Sequence, residues 1–89
     1  MANHSIIIRA TRASASAVAA MARHNWELTH ADRTIAWNNC MVARGYMSAE
    51  SAARDNAVCI ADKNRAMRGL ARSRGRYERA QLKLARNPI

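Results

Sequence analysis

A chain of 89 residues with 20 alanines and no phenylalanine has room for one small domain with a thin apolar core. Fifteen Lys/Arg against six acids give a net charge of +9, which favours an anionic partner. The sequence contains no clustered carboxylate pair, glycine-rich phosphate loop or nucleophile with a recognisable base. We therefore expect neither catalysis nor a cofactor, and we treat residues 1–89 as a single domain.

The N-terminal residues 1–10 contain the only run of β-branched side chains, Ile6 to Ile8. A run of three isoleucines is compatible with a short strand or with an extended arm that packs on a neighbour. We expect an N-terminal arm over these ten residues, and a strand is an open alternative.

Helical periodicity begins near Thr11 and covers residues 11–44. Apolar residues and asparagines recur there in steps of three and four, which places them on shared helix faces. These residues are Val18, Met21, Asn25 and Leu28, followed by Ile35, Asn39, Val42 and Tyr46. Thr29 and Asp32 have the spacing of a capping box, so a second helix could begin there. The segment is therefore one helix or two, and the all-α fold is a helical hairpin or a three-helix arrangement.

Gly45 is the clearest helix stop, because glycine readily adopts the left-handed conformation that ends helices. Ser48 is suited to cap the next helix, and Glu50 favours its positive end. We predict a long helix over residues 49–86, with Gly75 as a possible kink or end. At 1.5 Å per residue this helix would span on the order of 55 Å. Its last part should then project from the body or lie along a partner.

Positive charge is concentrated in the last third of the chain. Residues 1–62 have a net charge of +1, whereas residues 63–89 carry nine Lys/Arg and one acid. Seven of these cations step by three or four residues and fall within an arc of roughly 80° on a helix. They are Arg65, Arg68, Arg72, Arg76, Arg79, Lys83 and Arg86. Arginine suits bidentate contacts to phosphate or carboxylate, so we expect this arginine stripe to be the binding site.

The segment RSRGRYERAQLKLAR, residues 72–86, resembles the arginine-rich RNA-binding helices of phage antitermination proteins. The likeness is one of composition and covers under a fifth of the chain. It implies contact with a nucleic-acid backbone.

Two functions fit the pattern. The first is a small basic helical protein that contacts nucleic acid through the arginine stripe. The second is a protein-binding adaptor or inhibitor, of the phage-accessory type, that docks on an acidic surface of a host protein. Its aromatic side chains would then form the interface: Trp26, Trp37, Tyr46 and Tyr77. The thin core predicts a homo-oligomer or an obligate partner.

Two cysteines, Cys40 and Cys59, stand nineteen residues apart. Together with His24 and His30 they fit no common zinc-ligand spacing, so we expect no metal site. Two cysteines alone also do not make a disulfide framework. A reducing cytoplasm is therefore the expected location, with no membrane span.

Overall fold

The fold is two long helices joined by a tight turn. The computed structural model describes residues 3–88 and contains α1 (His4–Ala43) and α2 (Ala49–Arg86), which pack against each other as a hairpin. The molecule is a rod of 67 × 15 × 14 Å. The all-α prediction is confirmed. Neither helix, over the part of the chain described, offers a stretch long and apolar enough to cross a bilayer.

α1 begins far earlier than expected. Asn3 caps it, with its side-chain oxygen accepting a hydrogen bond from the Ile6 backbone N–H at 3.2 Å. The arm predicted over residues 1–10 is therefore wrong from His4 onward, and the alternative strand is absent there. Residues 1 and 2 lie outside the described residues. The physical reason is that an asparagine cap supplies the helix start, while Ile6 and Ile7 are half-buried on the helix.

α1 is one continuous helix, so the fold is a hairpin and the three-helix arrangement is not found among residues 3–88. The Thr29 hydroxyl donates to the Asn25 carbonyl one turn earlier, at 3.0 Å. It therefore does not cap a new helix, and the Thr29–Asp32 spacing lies inside α1. Threonine often bonds back to the preceding turn in this way within a helix.

The turn follows the local sequence signals. Gly45 has φ +78°, and its N–H donates to the Val42 carbonyl at 3.0 Å. The next N–H, that of Tyr46, donates to the Met41 carbonyl at 2.9 Å. These two bonds are the Schellman arrangement that closes a helix C-terminus, and the positive φ explains why a glycine stands there.

α2 begins and ends with side-chain caps. The Ser48 hydroxyl accepts from the Ser51 N–H at 3.0 Å, as predicted, and Glu50 lies in the first turn. The Asn87 side chain donates to the Lys83 carbonyl at 2.8 Å at the other end. Gly75 does not end the helix, which continues to Arg86.

The two helices meet along a seam of small residues spaced by seven. On α2 every member of this row is buried: Ala52, Cys59, Ala66, Ser73 and Ala80. On α1 the row is Ala10, Ala17, His24, Ala31 and Asn38, of which only His24 is incompletely buried. We call these ten residues the small-residue seam. A seven-residue repeat keeps one seam facing a partner helix over a long distance, as in coiled coils.

The register between the helices is constant along the rod. Five hydrogen-bonded pairs join α1 to α2: Ser14 with Gln81, Asp32 with Lys63, Asn38 with Asp55, Asn38 with Asn56, and Asn39 with Asn56. The two residue numbers of each pair add up to between 93 and 95, so the helices do not slip past each other. The Asp32–Lys63 pair, at 2.8 Å, also explains why a lysine stands among apolar neighbours.

Candidate nucleic-acid interface

The arginine stripe lies along one edge of α2, beside the small-residue seam. Four of its members are spaced by seven and form one row down the helix: Arg65, Arg72, Arg79 and Arg86. The first three directly precede seam residues. The other three members of the stripe lie in the two adjoining rows. All seven side chains are exposed. The seven-residue repeat that builds the seam therefore also aligns the stripe on one side of the hairpin.

α1 adds a cation that the sequence did not indicate as part of the site. A groove of about 600 Å³ runs between the start of α1 and the end of α2. Arg9 lines it from α1, and Arg76, Arg79, Lys83 and Arg86 line it from α2. Its apolar walls are Ile6, Ala10, Ala13 and Ala80. Arg23 follows Arg9 by two seven-residue repeats and so lies on the same edge of α1. We call the side formed by the stripe, Arg9 and Arg23 the basic face.

The fold divides the molecule into two electrostatic halves. The half away from the turn is built from residues 4–26 and 64–86, which together hold eleven Lys/Arg and one acid, Glu78. The half near the turn, residues 27–63, holds four Lys/Arg and five acids. We call the first half the basic end. No acid precedes Glu27 in the sequence. Because α1 pairs antiparallel with α2, this acid-free segment lies beside the basic part of α2.

Most of the stripe has no acidic partner. Arg65 pairs with Asp62, three residues earlier on the same helix, at 3.3 Å. Across residues 3–88, no carboxylate lies within salt-bridge distance of the other six members. Like charges three and four residues apart on a helix repel each other mildly. An anion that fits between them relieves this repulsion, so the stripe is suited to bind one.

The basic end does not project. α2 packs along α1 over its full length, and the Gln81 amide donates to the Ser14 hydroxyl at 2.9 Å deep in the basic end. The expectation of a projecting tail was wrong, because it assumed a compact body. In a two-helix rod the body is as long as α2 itself.

The four aromatic residues proposed as an interface do not come together. Trp26 and Trp37 are 64% and 57% exposed on α1, and Trp26 stacks on His30 with ring centroids 4.9 Å apart. Tyr46 is 79% exposed in the turn. Tyr77 is half-buried, on the side of α2 away from the stripe. The repeat places Trp37 in the same row of α1 as Arg9, on the basic face but in the half near the turn.

The cysteines and histidines do not converge. Within residues 3–88 no three His, Cys, Asp or Glu side chains form a group that could hold a metal ion. Cys40 is exposed near the end of α1, whereas Cys59 is buried in the small-residue seam. Burial, with nearby Asp55 and Asp62 adding to it, raises the pKa of the Cys59 thiol above its usual 9.0. Cys59 is therefore a protonated, weakly nucleophilic thiol at neutral pH.

Comparison with known proteins adds no relative. No protein-family model, no curated protein and no solved structure matches this chain. A two-helix hairpin by itself defines no activity, because function is carried by sites placed on folds. Function in this protein is therefore inferred from the chemistry of the basic face.

Proposed function

We propose that this protein binds the phosphate backbone of nucleic acid through its basic face, without reading base sequence. The observation that carries the proposal is the eleven-to-one excess of Lys/Arg over acids in the basic end. Six of the seven stripe residues, within the described chain, have no acidic partner. Solubility alone does not require this concentration of charge at one end of a rod.

The dimensions of the basic end suit a backbone. Its 23 residues per helix span about 34 Å, which is close to one turn of a duplex. Phosphates repeat along both edges of a groove, so a rigid row of arginines can engage several at once. Helical residues held in a constant register lose little conformational freedom on binding, which favours affinity. Guanidinium groups that contact phosphates rather than base edges carry no sequence information. We therefore expect binding with weak sequence preference.

The expected thermodynamic signature is a steep dependence on salt. If about 5–7 phosphates are engaged, log K against log salt concentration should have a slope of roughly −4 to −6. Each stripe arginine replaced by glutamine should flatten that slope by about one unit. DNA and RNA should both be titrated at several salt concentrations, with heparin as a non-nucleic polyanion.

A matched pair of triple variants separates site from net charge. One replaces Arg72, Arg76 and Arg79 by glutamine, and the other replaces three arginines of the opposite half: Arg33, Arg44 and Arg54. Both lose three charges from exposed positions. We expect the first to flatten the slope by about three units and the second to change it by less than about one. Equal effects of the two variants would contradict a localised site, and nucleic acid binding no tighter than heparin would contradict the proposal.

A protein-binding adaptor or inhibitor is the second candidate, and exposed tryptophan favours it. Trp26 and Trp37 are more than half exposed, and tryptophan is enriched at the centres of protein interfaces. On this alternative the basic face would attract an acidic protein surface. Replacing both tryptophans by alanine would then abolish binding to that partner and leave the salt slope for nucleic acid unchanged.

A further inference from the structure

The side of the hairpin opposite the basic face is apolar and uncovered. Each helix contributes a row of half-buried side chains beside the seam: Ile7, Met21, Leu28, Ile35 and Val42 on α1, and Leu70, Tyr77 and Leu84 on α2. Three more, Val18, Ile60 and Met67, stand at its edges and are 50%, 51% and 52% exposed. We call these eleven residues the apolar face.

The hairpin cannot bury these side chains by itself. The small-residue seam brings the two helices together with room for little more than alanine, and the largest fully buried side chain is Asn38. Burying a large aliphatic side chain is worth about 1.5–3 kcal/mol. Two helices alone forgo most of that contribution, because the large side chains stand outside the contact between them.

We propose that the apolar face packs against the apolar face of a second copy of this chain, forming a four-helix bundle. The area is sufficient: the outline of the rod seen from this side, 67 Å by 15 Å, is about 1,000 Å², and a standard stable interface needs roughly 800 Å² per partner. The pair of helices is long and narrow, and a second pair of the same length covers this side from end to end. The inference does not depend on the proposed nucleic-acid binding.

The distribution of charge favours self-association through the apolar face and opposes it through the basic face. At the edge of the apolar face lie the Asp32–Lys63 pair, which is neutral as a unit, and a single further cation, Arg74, one repeat after Met67. Self-association through the basic face would bring the cations of both copies into the contact without acids to pair with them. An anionic membrane does not suit the apolar face as a partner. The arginine stripe would then point away from the lipid headgroups, whereas the basic side chains of interfacial helices contact those headgroups.

Charge also sets the orientation of the two copies. If both turns lay at the same end, the two basic ends would lie side by side. If the turns lie at opposite ends, each basic end lies on the half near the turn, where acids outnumber bases by five to four. We therefore assign the antiparallel arrangement, with α1 over α1 and α2 over α2 of the second copy. The two-fold axis then crosses α2 near its middle, close to Met67.

Disulfide formation between copies tests the geometry with a matched control. In a Cys40→Ser, Cys59→Ala background, Met67→Cys lies near the two-fold axis, and Ile60→Cys lies one repeat away in the same row. The native side chains at these positions are equally exposed, at 52% and 51%. Because the axis holds two Met67→Cys thiols at millimolar effective concentration, they should cross-link about a hundredfold faster than Ile60→Cys thiols. Equal rates would overturn the antiparallel dimer.

Sedimentation equilibrium of the unmodified chain tests the dimer itself. The expected mass is twice the 9.9 kDa of the chain at micromolar concentration. A monomer that remains fully helical would overturn the proposal, and so would a monomer that binds vesicles of neutral and anionic lipid through Leu28 and Leu70. Leu28→Glu should shift the equilibrium towards monomer, and circular dichroism on the same sample reports whether the variant is still folded.

Discussion

The imidazole of His24 occupies the space that a side chain at position 69 would need. A Cβ built on Gly69 would lie 2.5 Å from the Cε1 and Nε2 atoms of His24. His24 is the one bulky member of the seam on α1, and the glycine opposite makes room for it. The effect of a substitution at either position therefore depends on the residue at the other, across the helix–helix contact.

Gly69→Ala should destabilise the hairpin by about 1–3 kcal/mol, because the added methyl group overpacks the contact. In a His24→Ala background the same substitution should instead stabilise, by up to about 1 kcal/mol, since alanine is the better helix former. Urea unfolding of the four proteins measures both effects. A Gly69→Ala effect of the same sign in both backgrounds would contradict the steric explanation.

Gly75→Ala is the control for this pair. Gly75 is also inside α2, but the nearest atom to an added Cβ is the flexible tip of Arg79, at 3.3 Å. The substitution should stabilise by up to about 1 kcal/mol in either background. If Gly75→Ala destabilised the hairpin, glycine would be favoured inside α2 for a reason other than space for His24.

Local signals predicted the parts of this fold that depend on a few neighbouring residues. Gly45 and Ser48 were expected at the turn because their chemistry is specific to helix ends. The arginine stripe was expected because charges in steps of three and four share a helix face wherever the helix lies. Asn3 could have been recognised as a cap, but the isoleucines after it suggested an extended arm.

The seam could not be predicted in this way, because its residues carry almost no hydrophobic signal. Hydrophobicity alone would place the large apolar side chains, such as Leu28 and Leu70, between the helices. They stand beside the contact, and alanines, Cys59 and Ser73 occupy it. The role of Arg9 was hidden for a related reason: its position beside Lys83 depends on the pairing of two helices that are far apart in sequence.

Cys59 should make stability depend on alkaline pH. The folded state raises the pKa of its thiol through burial, so the unfolded chain releases that proton first as pH rises. The thiol therefore contributes fully to stability below pH 9.0, the usual thiol pKa. This contribution is lost as the pH rises through the raised pKa of the folded state. Cys59→Ala should fit the seam and remove this loss.

The measurement is urea unfolding of the unmodified chain and of Cys59→Ala, at about pH 8 and about pH 10. The difference in stability between the two proteins should shift in favour of the variant at the higher pH. All other residues are common to the two proteins, so their contributions cancel in the comparison. An unchanged difference would mean that the thiol is not held protonated by the fold.

Arg9→Gln should weaken nucleic-acid binding as much as a single substitution in the stripe does. Arg9 shares its groove with Arg76 and Lys83, so a phosphate bound there would contact both helices. The salt slope should become about one unit less steep. Arg33→Gln, on the same helix but in the half near the turn, is the matched control and should leave the slope unchanged. If Arg9→Gln also leaves it unchanged, binding involves α2 alone.

Bridging of two duplexes tests the two proposals together. In the antiparallel dimer the apolar faces are joined, so the two basic faces point outward on opposite sides. One dimer should then hold two DNA fragments, and energy transfer between donor- and acceptor-labelled fragments should appear as protein is added. Leu28→Glu monomers should bind each fragment yet produce no transfer. Transfer with the monomer would indicate aggregation by charge neutralisation, and its absence with a verified dimer that binds DNA would exclude outward-facing sites.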